Sequence, residues 1–162
     1  VVWSLLNGYA IPSSPTDGPA QVEGSVASGF SRTPTGALLA LVNAQLRVTA
    51  SAPAACAVEA RAAFENTPAA AAIADQCAHP SDAPERYQLA GYAYLSYTPD
   101  RATITYAVRD EASAKLVEVT GTVLWSGSDW LVSLPGAAAG GNPIGPTAVV
   151  DSLAGFVAWA GA

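Results

Sequence analysis

Residues 87–134 read YQLAGYAYLSYTPDRATITYAVRDEASAKLVEVTGTVLWSGSDWLVSL, and this stretch decides the fold. Its first run, 87–98, is rich in aromatic and β-branched side chains, and Pro99-Asp100 ends it. In 101–109, Ala102, Ile104, Tyr106 and Val108 alternate with Thr103, Thr105 and Arg109, the period of a half-buried strand. After a break at 110–113, Val117, Val119, Val123 and Trp125 share one face, and Glu118, Thr120 and Thr122 the other. Ser126-Gly127-Ser128-Asp129 then turns the chain into 130–134. Connections this short join antiparallel neighbours, because a parallel crossover needs roughly a dozen residues or more. The pattern predicts a four-stranded antiparallel meander with one apolar face, which a second layer must cover.

The preceding residues supply that layer as helices. Thr33-Pro34-Thr35 is a helix start: a threonine that can cap, then a proline at a position whose amide hydrogen would be unpaired anyway. Leu38, Leu39, Leu41, Val42 and Leu46 follow at helical spacing to about Val48. Pro53 and Thr67-Pro68 repeat the signal and predict shorter helices over 54–66 and 69–77. Val58, Phe64 and Ile73 point inward in this reading, with Glu59, Arg61 and Glu65 facing solvent. Residues 79–84 form a polar, proline-rich loop.

With 162 residues the chain fits one domain, able to bury roughly 70% of the surface of its unfolded form. Three parts are expected within it. Residues 1–32, with Gly8, Pro12, Pro15, Gly18 and Pro19, read as an extended N-terminal arm lying along the domain or docked on a neighbouring subunit. Residues 33–135 carry the helices and sheet. Residues 136–162 are a Gly-rich linker and an apolar C-terminal segment. The latter contains Val149, Leu153, Phe156 and Trp159; it is expected either to pack back on the domain, with Trp3 and Trp159 near each other, or to be the part that a partner covers.

Charge and composition narrow the function classes. A net charge of −6 with seven unclustered Lys and Arg speaks against a nucleic-acid surface and against an anionic membrane face. Apolar runs are broken well before the ~20 residues that span a bilayer. The chain lacks Met and a signal-peptide plan, which reads as a processed chain or an excised domain; a membrane tie would need an anchor outside it. Cys56 and Cys77 would close a loop that a disulfide stabilises by roughly 3 kcal/mol, as suits an oxidising, extracytoplasmic compartment. The alternative is a pair of buried reduced thiols. His79 is the one histidine and no CxxC spacing exists, so no metal site is expected.

An active site finds little support in these residues. A proton-transfer site would need a carboxylate base beside an acidic donor pair in an apolar cavity. Asp100, Asp110, Glu111 and Asp129 fall in turns, and Glu118 falls on the polar face. Tyr92, Tyr94 and Tyr106 could donate within a cavity, but strand aromatics pairing across a sheet account for them as well. No nucleophile motif, phosphate-cradling loop or metal set is present, so neither catalytic residues nor a cofactor are expected.

Two resemblances bear on this reading. The order of one long helix, shorter helices and a long meander over 33–134 resembles the cone-shaped α+β fold of nuclear transport factors, ketosteroid isomerases and polyketide cyclases, with Gly121 at the bulge or bend that lets the sheet curl. The second is carried by Trp3, by Gly8-Tyr9-Ala10-Ile11-Pro12-Ser13, by Gly18-Pro19 and by Gly29-Phe30-Ser31-Arg32-Thr33-Pro34-Thr35-Gly36-Ala37. Phe156-Val157-Ala158-Trp159 completes it. This order is similar to an actinobacterial family encoded on conjugative elements and plasmids, whose members look like extracytoplasmic cone-fold scaffold domains of conjugation and type IV secretion machines.

The fold class expected is therefore α+β, N-terminal helices packed on a curved four-stranded antiparallel meander. The function expected is a non-enzymatic scaffold of a conjugation or secretion apparatus, acting by protein–protein contact in a homo-oligomer or larger assembly. Its contact candidates are Trp3, Tyr9, Trp130, Phe156 and Trp159, aromatics near the ends of the chain or sheet. Two rivals are a small-molecule binder or isomerase/cyclase-like enzyme using the cone cavity, and a subunit of a phage or other polymeric particle.

Overall fold

The computed structural model describes residues 1–79, 86–135 and 144–159. Two hairpins come first: β1 (Val2–Leu6) with β2 (Tyr9–Ser13), and β3 (Gln21–Glu23) with β4 (Val26–Ser28). Helices α1 (Pro34–Ala50), α2 (Pro53–Ala63) and α3 (Pro68–Gln76) follow. The long strands are β5 (Tyr87–Thr98), β6 (Arg101–Asp110), β7 (Leu116–Trp125) and β8 (Trp130–Ser133); β9 (Thr147–Val150) and β10 (Val157–Ala158) close the order.

Each helix opens on the proline that marked it in the sequence. Thr33 caps α1 by accepting the Gly36 N–H at 3.0 Å, and Thr67 caps α3 by accepting the Ala70 N–H at 3.3 Å. Helix α1 is apolar around most of its circumference and supplies Leu38, Leu39, Leu41, Val42 and Leu46 to the core. Against it stand Ile104, Tyr106, Val119, Val123 and Val132 from β6, β7 and β8. Gly121 does not sit at a bulge, and the structure gives it another role. The β6–β7 register runs without a shift, and a Cβ on Gly121 would come within 2.6 Å of Leu41 Cδ1. Glycine is needed there so that α1 can approach the strand closely. The register shifts lie instead in β5, between Leu89 and Gly91 and between Tyr94 and Ser96.

The expected fold class is corrected by the sheet. It has six strands, in the order β10-β5-β6-β7-β8 with β9 also paired to β7, and strands outweigh helices among the described residues, 42% against 26%. Two features hid this. Residues 1–32 are not an irregular arm: Asn7 and Gly8 both take positive φ, 49° and 90°, the two-residue hairpin turn that Asn-Gly favours. Pro12 fits in β2 because a two-stranded ribbon consists of edges. Gly24, at φ 62°, begins the β3–β4 turn in the same way.

The second feature is the C-terminal segment, which adds β9 and β10 to the sheet and buries Ile144 beside Gly121. Trp3 and Trp159 meet with ring centroids 5.3 Å apart. The expected proline-rich loop beyond His79 and the glycine run over 136–143 lie outside the described residues. None of the described helices is long and apolar enough to cross a membrane.

Candidate functional site

Cys56 and Cys77 form a disulfide that ties the first turn of α2 to the end of α3. With Cys56 turned inward, residues three and four further along α2 face the same way, which puts Glu59 and Ala60 on the buried side. The expectation had the phase of this helix wrong. Val58, expected inward, is 52% exposed, while Glu59, expected in solvent, is 1% exposed. Alanines fill the rest of α2, so little hydrophobic contrast marks its inner face.

Glu59 sits in a polar interior that sequence reasoning missed. Asn43 of α1 donates from Nδ2 to the carbonyls of Pro12 and Leu39, both at 2.9 Å, and accepts the Arg47 Nε–H on Oδ1 at 3.0 Å. Arg47 Nη1 reaches the Ser25 carbonyl at 3.3 Å, and Ser25 Oγ donates to the Ala55 carbonyl at 3.0 Å. These bonds fasten both N-terminal hairpins to α1 and α2. Burial pushes the Glu59 carboxyl up from 4.5 to about 7, against the opposing pull of Arg47 and a hydrogen bond from the Ala27 backbone. The same burial lowers the Arg47 pKa from its usual value, partly offset by Glu59. One carboxylate oxygen, Glu59 Oε2, is buried without a hydrogen-bond partner.

Glu59 lines a cavity of about 70 Å³ between α1, α2, β4 and the start of β8. Phe30 and Trp130 contribute aromatic walls, and Ala62, exposed on α2, lies at the rim. Asp129 lines it too. Its Oδ2 accepts the Gly29 N–H at 2.6 Å, and its Oδ1 accepts those of Phe30 at 3.1 Å and Trp130 at 2.9 Å. The cavity therefore has in its lining one carboxylate whose two oxygens both accept backbone N–H bonds and one whose Oε2 is unpaired.

The five contact candidates divide. Tyr9 and Trp130, 6% and 3% exposed, belong to the chain's own core, and Trp130 Nε1 donates to the Ser31 carbonyl at 2.8 Å. Trp3, Phe156 and Trp159 are half-buried. Trp159 bridges Trp3 and Tyr92, with ring centroids 5.3 Å apart in each pair, and Tyr94 stands 5.7 Å beyond Tyr92. On the strands that carry or precede these rings, Leu5 of β1, Leu95 of β5 and Val157 of β10 are exposed, Leu5 by 79% and Leu95 by 62%.

The carboxylates weighed as bases are dispersed. Asp100 pairs with Arg32, which also lies over the Trp125 ring at 5.5 Å. Hydrogen bonds from Ser113 hold the Asp110 carboxyl below its usual range, and Glu111 accepts from Gln88 Nε2 at 3.1 Å. Glu118 is half-buried on β7, and His79 is exposed in the turn that follows α3. Tyr106 is buried on β6 with its hydroxyl unpartnered, and burial raises its pKa well above the usual value. Among the described residues, no three His, Cys, Asp or Glu side chains converge as a metal site would require.

The family described as "Domain of unknown function (DUF8175)" matches residues 1–158, and the chain belongs to that family. No curated protein and no solved structure matches it.

Proposed function

We propose that this member of the family is a non-enzymatic protein-contact domain that works outside the cytoplasm, within an assembly built from copies of itself. One observation carries the reading: the outer edge of β5. Strand β10 pairs only with Gly91 and Tyr92, and among the described residues no strand pairs with the outer side of 93–98. That edge, Ala93-Tyr94-Leu95-Ser96-Tyr97-Thr98, contains no charge and no proline. Strand edges are ordinarily protected by lysine, proline or a covering element, and an unprotected one is a template for another strand. The bulge between Tyr94 and Ser96 limits the pairing to a short run, while Leu5, Val157, Leu95 and the Trp3–Trp159–Tyr92–Tyr94 row offer apolar and aromatic surface beside it.

The Cys56–Cys77 disulfide supports an oxidising compartment. The resemblance carried by Trp3, residues 8–13, 18–19, 29–37 and 156–159 to proteins of actinobacterial conjugation and secretion machines supports an apparatus of that kind as the setting. Light scattering tests the reading. The chain is expected to show a mass of more than one copy, falling to one copy in the double variant Leu95→Lys, Val157→Lys. A single-copy mass at every concentration overturns it, and growth without limit favours the particle-subunit reading instead.

A further inference from the structure

Independently of that contact surface, the surroundings of Glu59 are built to respond to protons. The side chain is 1% exposed, and its Oε2 is closed off from solvent without a hydrogen-bond partner. A neutral carboxyl tolerates such a position at modest cost, whereas an ionised one is strongly disfavoured unless it is paired. The groups around it supply no pair. From α1, Arg47 acts on Glu59 through its charge, yet its guanidinium is bonded to Asn43 and to the Ser25 carbonyl and makes no ion pair with it. In the turn before β8, Asp129 lines the same cavity, and its negative charge opposes a second one. Strand β4 carries no ionisable side chain, and Asp75 of α3 is exposed, as is Arg61 on α2 itself.

The element lying against Glu59 is lightly held. Residues of β3 are all exposed and those of β4 are half-buried. Their hairpin is tied to the helices through Ser25, whose hydroxyl bonds the Ala55 carbonyl and whose own carbonyl accepts from Arg47, and through the Ala27 backbone on Glu59 itself. Its base is fixed in another way: Asp129 accepts the N–H groups of Gly29 and Phe30, and Ala20 donates to the Gly29 carbonyl. Segments with few buried groups open before the core does. We propose that Glu59 is a proton-operated latch: neutral, it lies closed under the β3–β4 hairpin; ionised, it draws in water and releases residues 21–28 from α2, while Asp129 keeps their base in place. Val26, Ala27 and Ser28 line the cavity of about 70 Å³ together with Glu59, so lifting β4 lets water reach Oε2. Burial, which raises the carboxyl to about 7, sets the change near neutrality. Acid closes the hairpin, and rising pH loosens it.

The test is amide hydrogen exchange of the whole chain from about pH 5 to about pH 8, expressed as protection relative to the intrinsic rate at each pH. Protection of the Ala27 amide, which faces the Glu59 carboxyl, is expected to fall by up to about tenfold per pH unit and to level off above about 7, losing about fifty- to a hundredfold in all. It should stay below that of Ile104 in β6. It should also be insensitive to about 1 M urea, which speeds exchange at Ile104, because a lifted hairpin exposes far less surface than unfolding does. Glu59→Gln is expected to flatten the pH dependence at Ala27. Ser25→Ala, which cuts the tie to Ala55 and leaves the carboxyl in place, is expected to lower protection at every pH and keep the slope. A flat profile in the natural chain, an equal slope in Glu59→Gln, or a urea response at Ala27 as steep as that at Ile104 overturns the proposal.

Discussion

The two sides of α1 are built on different principles. Toward β6, β7 and β8 it meets Ile104, Val119, Val123 and Val132, and the fit is close enough that Gly121 has no room for a methyl group. Toward α2 and the N-terminal hairpins it carries Asn43 and Arg47, and the facing helix returns Glu59. The first side is held by apolar contact, which has no preferred direction. The second depends on specific hydrogen bonds and leaves one carboxylate oxygen unpaired. Stability should therefore respond to volume on the sheet side and to charge and pH on the hairpin side.

Leu41→Ala tests the sheet side with the largest effect. It empties a fully buried position over Gly121 and should cost about 3–4 kcal/mol at any pH between 5 and 8, read from denaturant unfolding. A loss below about 1 kcal/mol would show that α1 does not bear on β7 as described.

On the hairpin side, replacing both Cys56 and Cys77 by serine should cost about 3 kcal/mol. Hydrogen exchange should quicken first in α2 and α3 while β6 and β7 keep their protection. Uniform loss of protection would mean that the two sides are one cooperative unit.

Glu59→Gln sharpens the contrast through pH. The folded carboxyl titrates at about 7 and the unfolded one at 4.5, so between those values the folded chain holds more protons. Stability from this group is accordingly full below about 4.5 and is lost as pH rises to about 7, by at most about 3 kcal/mol. The glutamine variant should lack that decline and exceed the natural chain above pH 7. A parallel pH profile for the two would remove the electrostatic distinction between the sides.

The smallest effect belongs to Tyr106→Phe on the sheet side. Its hydroxyl is buried without a partner, so removing it should change stability by less than about 1 kcal/mol, with either no loss or a gain. A loss above about 2 kcal/mol would reveal a polar bond in a region described as apolar.

The same contrast explains which elements could be read from sequence. Alternation at Ala102, Ile104, Tyr106 and Val108 and the Thr33-Pro34 start are local signals, and β6 and α1 appear where those signals fall. The hairpins were legible in principle from Asn7-Gly8 and Gly24-Ser25, but the density of proline and glycine around them outweighed two turn dipeptides. β9 and β10 are four and two residues long and pair with strands far away in the chain, so nothing local announces them. Glu59 was hidden by a sound rule, that carboxylates face solvent. Its three-residue spacing from Cys56 was the one signal against that rule, available only once the disulfide is taken to face inward. Tyr9 and Trp130 show the converse: aromatics near the ends of chain or sheet read as contact anchors, yet both complete the core.

The most direct test is the titration of the Glu59 carboxyl carbon by NMR in the ligand-free chain. A midpoint of about 7 is expected, set by burial against the pull of Arg47 and the Ala27 backbone. A midpoint at the ordinary 4.5 would mean that Glu59 is solvated or fully paired, and both the polar interior and the cavity built on it would fall.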